Sequence, residues 1–223
     1  MARFPGVIGA IDCTHIPIQS PGGENAELFR NRKSYFSINV QTVADPQLLI
    51  RDIVASWPGS THDSTIFLGS QVRQKFVNNE LTNCHLLGDN GYKLEKYLLT
   101  PFLNPSNIHE RNYNKAQIKT RNTVERQYGV WKRRFPCLKF GLRTKMETSL
   151  SIIVATAVLH NIAIMTRDEE PPEDTQLINY LTRRRLTRPL DAGAARPPQL
   201  DVEREVREAL PTLYRQRFAS SYF

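Results

Sequence analysis

V-I-G-A-I-D, residues 7–12, is a short apolar run that stops at an acid, and C-H-L-L-G-D, residues 84–89, follows the same pattern. Runs of this length and composition read as buried strands. Taken singly, Asp12 and Asp89 are ordinary turn or Asx-cap residues. If the two strands neighbour one another in one sheet, their ends meet and the carboxylates face each other. Residues 13–34 follow the first run as a polar loop, broken by Pro17, Pro21, Gly22 and Gly23. Residues 35–44 (Y-F-S-I-N-V-Q-T-V-A) alternate, with Phe36, Ile38, Val40 and Thr42 on one face, and predict a half-buried strand. Asp45-Pro46 marks a tight turn, and residues 48–57 supply the hairpin partner. A hairpin followed by strand–helix alternation predicts an α/β fold, a mixed sheet covered by helices.

Ser60 or Thr61 can cap the first helix, with Asp63 in its first turn and Ile66, Phe67, Val72 and Phe76 as an approximate apolar face. Residues 92–114 read as irregular, interrupted by Pro101 and Pro105. Residues 115–135 form a strong helical pattern, with Val124, Tyr128, Trp131 and Phe135 on one stripe and Pro136 as the stop. Residues 146–165 are apolar almost all round and predict a second long, buried helix. His160 and Asn161 in it read as a satisfied buried polar pair. The core domain is expected to span residues 1–167. From residue 168 an acidic, proline-bearing stretch opens a linker and a polar helical C-terminal tail over residues 168–223.

Glu125 falls beside the apolar stripe, at the border between core and solvent, with Arg121 and Lys132 on either side along the helix. It reads either as a surface glutamate paired with Arg121 four residues earlier, or as a carboxylate leaning over the sheet edge where Asp12 and Asp89 converge. Three close carboxylates cannot all stay ionised without a cation. Oxygen-only ligands suit a hard ion, Mg²⁺ or Mn²⁺. Two such ions roughly 4 Å apart can activate a water and steady the leaving oxygen of a phosphodiester.

The formal net charge is +8. Residues 110–147 hold 11 Lys/Arg against 3 Asp/Glu, and the remaining residues are balanced, so the whole excess lies in one segment. That is either the footprint of a phosphate-backbone binder or a solvated helix face. Three scattered cysteines and no C-x-x-C pair argue against a disulfide framework or a zinc site, and fit a reducing, intracellular setting. No run of 18 apolar residues suggests a membrane span. No signal peptide is expected ahead of residue 7. A phosphatase or other small-substrate hydrolase lacks support, because there is no Gly-rich phosphate loop and no nucleophile elbow.

Six ordered motifs carry a resemblance. They are F-P-G-V-I-G-A-I-D-C-T-H-I (residues 4–16), N-R-K-S-Y-F-S-I-N-V-Q-T-V-A-D (31–45), P-G-S-T-H-D-S (58–64), L-G-D-N-G-Y (87–92), V-E-R-Q-Y-G-V-W-K-R-R-F (124–135) and V-L-H-N-I-A (158–163). In these the chain resembles the DDE catalytic domain of PIF/Harbinger transposases, over roughly residues 4–165. The resemblance implies an RNase H-like mixed sheet flanked by helices. It also implies Asp12, Asp89 and Glu125 as metal-binding catalytic acids, and hydrolysis or strand transfer at DNA phosphodiesters. The 35 residues between Asp89 and Glu125 are typical of that superfamily. Asp63, in the family's H-D-S element, is either a fourth acid near the metals or the cap of its helix. Arg32, Lys33, Arg121, Lys132 and Arg133 are the expected DNA-backbone contacts, though Arg32 and Lys33 also suit an ordinary charged loop. The family carries a helical DNA-binding region ahead of its catalytic domain, whereas here Met1 stands close to the first strand. The chain is therefore read as either a fragment or a shortened gene product, and a separate DNA-binding partner protein is one candidate for target recognition. A DNA substrate implies the nucleus. The alternative is a domesticated, catalytically inactive module that binds nucleic acid or protein.

Overall fold

A computed structural model describes residues 4–171. The residues of the expected polar helical tail from 172 onward lie outside the described residues. Five strands form one mixed sheet: β1 (Val7–Pro17), β2 (Ser37–Ala44), β3 (Ile50–Pro58), β4 (His85–Leu87) and β5 (Leu98–Leu99), in the order β3-β2-β1-β4-β5. β1, β2 and β3 pair antiparallel, while β1–β4 and β4–β5 are parallel. Alternation along β1 sends Ile11 to one face of the sheet and Asp12 to the other. On the first face Ile11, Val43 and Leu86 join Phe67, Val72 and Phe76 from the short helices α1 (Asp63–Leu68) and α2 (Gln71–Val77). The second face is covered by α3 (Ile108–Arg134), which buries Val124, Tyr128 and Trp131, and by α5 (Met146–Met165); α4 (Cys137–Phe140) links the two. This is the RNase H-like α/β arrangement expected from the motifs.

The structure changes several boundaries. β1 does not stop at Asp12. Residues 10–17 keep pairing with β2, from Ala10↔Ala44 to Pro17↔Ser37, so the expected loop begins only at Ile18. The helix expected after residue 60 is two helices. Ser70 breaks it, its hydroxyl accepting from the Arg73 N–H at 3.2 Å and donating to the Phe67 carbonyl at 2.7 Å. His62, not Ser60 or Thr61, is the N-cap of α1. α3 starts seven residues early, because Asn107 caps it by accepting from the Glu110 N–H at 2.9 Å while Glu110 accepts back from Ser106 and Asn107. The pattern is reciprocal like a capping box, but Glu110 reaches the backbone N–H of Ser106, one residue before the cap.

α5 is long and apolar enough to cross a membrane by length and composition alone. It is a core helix here, though not buried all round as expected: Leu159, Ile162 and Met165 are exposed. Asn161 accepts from the Ile50 N–H at 2.8 Å and donates to the Ile50 carbonyl at 2.9 Å, completing the ladder at the start of edge strand β3. His160 is fully buried with Nε2 2.9 Å from the Leu48 carbonyl.

One glycine is fixed by space. At Gly59, which leads from β3 toward α1, an added Cβ would lie 2.5 Å from the Phe29 carbonyl oxygen and 2.8 Å from that of Ser37. Backbone oxygens cannot swing aside. Gly59→Ala should therefore cost about 3 kcal/mol in urea unfolding. A variant within 0.5 kcal/mol of wild type would show that this corner yields.

Candidate active site

The parallel register of β1 and β4 sets the site. Their last paired residues are Ala10 and Leu87. Asp12 stands two residues beyond that pair inside β1, and Asp89 two residues beyond it in the turn that follows β4, near enough for its charge to act on Asp12. β4 ends there while β1 continues against β2 alone, which opens the flank of β1 at Asp12. Asp89 turns the chain: its Oδ1 accepts from the Gly91 N–H at 2.8 Å. The turn is tied to α3 by Gln117, a fully buried side chain whose Nε2 donates to the Gly88 carbonyl at 2.7 Å.

α3 lies along β1 and meets it at three levels. Arg121 Nη1 donates to Asp12 Oδ2 at 3.0 Å, and its Nη2 donates to Glu125 Oε1 at 2.8 Å. Tyr128 Oη donates to the Asp12 backbone carbonyl at 2.6 Å. Lys132 Nζ donates to Thr14 Oγ1 at 2.6 Å and to the His15 carbonyl at 2.9 Å. Positions 121, 125, 128 and 132 are consecutive steps along one helix face, so a single packing interface orients all four. Glu125 makes the surface pairing with Arg121 that the sequence allowed, and the same guanidinium also reaches Asp12.

Burial pushes the Asp12 carboxyl up to about 6, opposed by the Cys13 N–H and the Arg121 guanidinium; the charges of Asp89 and Asp63 raise it further. Asp63 does not cap its own helix in the manner of an N-cap residue. It lies in the first turn of α1, and its Oδ1 accepts from Asn39 Nδ2 at 2.9 Å. Burial, then the Asp63 charge, push the Cys13 thiol well above its usual value. Burial holds His15 below the usual histidine range, and its Nδ1 lies 3.1 Å from Ser37 Oγ.

Among the described residues, no three His, Cys, Asp or Glu side chains close into a metal cluster. The donor set nevertheless fits a hard divalent cation. It is oxygen-only and anionic, and a guanidinium already lies between Asp12 and Glu125. The expected phosphate contacts divide. Arg32 and Lys33 are exposed on a loop pinned by buried Asn31, and Arg32 Nη2 lies 2.9 Å from His62 Nδ1. Arg121 and Lys132 are engaged within the protein, and Arg133 lies 3.7 Å from Glu170. Sequence reasoning did not single out Arg111, Lys115, Lys119 and Arg126, which are exposed along α3 at steps of three or four residues, apart from the seven between Lys119 and Arg126. It also missed Asn39 and Gln117 as anchors; their polar side chains inside otherwise apolar patterns were the available signal.

The sheet order and the crossing helix define an RNase H-like α/β fold. The model of the family described as DDE superfamily endonuclease matches residues 11–161, and the chain belongs to that family. It is similar to proteins named "Putative nuclease HARBI1": 36% identical to the Rattus norvegicus protein over 74% of this chain and 48% of that one, and 33% identical to the Homo sapiens protein over 78% and 54%. It is also 27% identical to "Protein ALP1-like" of Arabidopsis thaliana, over 82% of this chain and 50% of the relative. The chain spans about half the length of the curated relatives it matches. No solved structure matches it.

Proposed function

We propose that this domain is a metal-dependent endonuclease that hydrolyses DNA phosphodiester bonds, with Asp12, Asp89 and Glu125 holding Mg²⁺ or Mn²⁺ and Asp63 as a nearby fourth acid. The observation that supports the reading is the Arg121 guanidinium joining Asp12 to Glu125, with the Asp89 charge acting on Asp12 from the turn after β4. Two bound divalent ions would supply an activated water and neutralise charge at the reacting phosphate. The chain's own residues do the rest. Tyr128 fixes the backbone at Asp12, and Gln117 fixes the turn that presents Asp89. The exposed basic face of α3, together with Arg32 and Lys33, attracts the phosphate backbone. The nucleus and a separate DNA-binding partner protein complete the proposal.

Nicking of plasmid DNA in Mg²⁺ or Mn²⁺, against the same reaction in EDTA, tests it. Asp89→Asn should lower metal-dependent nicking at least tenfold. Equal activity in both proteins would remove the assignment. A second reading, a module that binds DNA or protein without turnover, is favoured by the Arg121 bridge, which already engages two of the acids. It predicts salt-sensitive DNA binding with no metal-dependent nicking.

A further inference from the structure

We propose that Arg121 is the resting counterion of the acidic site, so that binding a divalent cation is an exchange in which the guanidinium gives up Asp12 and Glu125. The inference rests on the nuclease reading and adds a residue that governs access to the site. One planar guanidinium donates from Nη1 to Asp12 Oδ2 at 3.0 Å and from Nη2 to Glu125 Oε1 at 2.8 Å. Arginine is suited to this: its fork spans two carboxylates at a fixed spacing, whereas a lysine offers one point charge. The side chain is only 15% exposed, against 54% for Glu125, so the bridge is sheltered on the Asp12 side and open on the other. Arg121 is also the cation that acts most on Asp12, where Asp63 and Asp89 add negative charge. Like charge of this kind favours a positive partner whenever the acids are ionised. In the structure that partner is Arg121, and it holds the oxygens a metal would need.

An ordinary phosphate-binding arginine would leave both acids unpaired, and its loss would weaken DNA binding alone. The exchange has a different signature. Removing the guanidinium destabilises the metal-free protein and strengthens its affinity for metal, two changes of opposite sign. A residue that merely supports the fold would weaken both.

The test uses the full chain, with Mn²⁺ titrated calorimetrically and thermal unfolding followed in EDTA and in excess Mn²⁺. Arg121→Gln should bind Mn²⁺ at least about tenfold more tightly than wild type, unfold at a lower temperature in EDTA, and gain more from Mn²⁺. Unchanged or weaker Mn²⁺ binding in folded Arg121→Gln overturns the exchange and leaves the nuclease reading standing. If Arg121→Gln does not fold, Arg121→Lys decides. It keeps the charge but cannot span both acids, so tighter binding than wild type supports the exchange, and equal or weaker binding overturns it. No Mn²⁺ binding by wild type or either variant removes the metal site and the exchange together.

Discussion

Asp12→Asn should abolish metal-dependent DNA cleavage while making the metal-free protein more stable at pH 8. The loss follows from Asp12's place at the centre of the acid group, beside Arg121 and within the influence of both Asp89 and Asp63. An amide contributes no charge to a divalent ion. Losing several kcal/mol of charge stabilisation corresponds to a rate on the order of 10³-fold lower. The gain in stability follows from the opposite side of the same chemistry. Burial raises the Asp12 carboxyl from 3.8 to about 6. The folded state therefore holds this proton more tightly than the unfolded state. That contribution is fully present below about pH 4, fades as pH rises through 6, and is absent at pH 8. Asparagine copies the neutral form and does not titrate. The two proteins should unfold alike near pH 4 in EDTA, and the variant should lead by roughly 2 kcal/mol at pH 8. For a domain of this size that is about 5 °C. A variant that melts below wild type at pH 8 in EDTA would show that the Asp12–Arg121 pair outweighs the burial of the charge. Excess Mn²⁺ should reverse the order, because only wild type gains from the ion.

That conflict between stability and charge explains which parts of the site were legible in the sequence. Asp12 and Asp89 stood out because each ends an apolar run, and apolar runs of that length are readable as strands. That the two runs are parallel neighbours was not readable, since it depends on the Ala10↔Leu87 pairing between segments more than seventy residues apart. The extension of β1 to Pro17 was hidden by its sequence. Thr14, His15 and Pro17 look like a loop, and become strand only because β2 offers a partner as far as Ser37. The break at Ser70 and the start of α3 at Asn107 were set by caps, local hydrogen bonds that outweigh a weak apolar period. Arg121 was legible as a charge and as a neighbour of Glu125. Its second partner, Asp12, lies 109 residues away and appears only once α3 is laid on β1.

Trp131→Ala should cost about 3–5 kcal/mol in urea unfolding, the usual penalty for emptying a large aromatic site in a core. Trp131 is fully buried on the α3 face that packs against the sheet. Trp131→Phe should cost only about 1–2 kcal/mol. Among the described residues the indole Nε1 has no hydrogen-bond partner, so replacing it forfeits no bond there and removes a buried donor. The pair of variants also tests how the core positions the acids. Arg121, Glu125, Tyr128 and Lys132 share α3 with Trp131, and three of them bond directly to β1. If the tryptophan seats that helix, Mn²⁺ affinity measured well below the unfolding transition should fall in Trp131→Ala and hold at the wild-type value in Trp131→Phe. Should Trp131→Ala lose stability yet bind Mn²⁺ as wild type does, the helix is held over the site by its polar contacts with β1, and the apolar stripe supplies stability without setting the distance between Glu125 and Asp12.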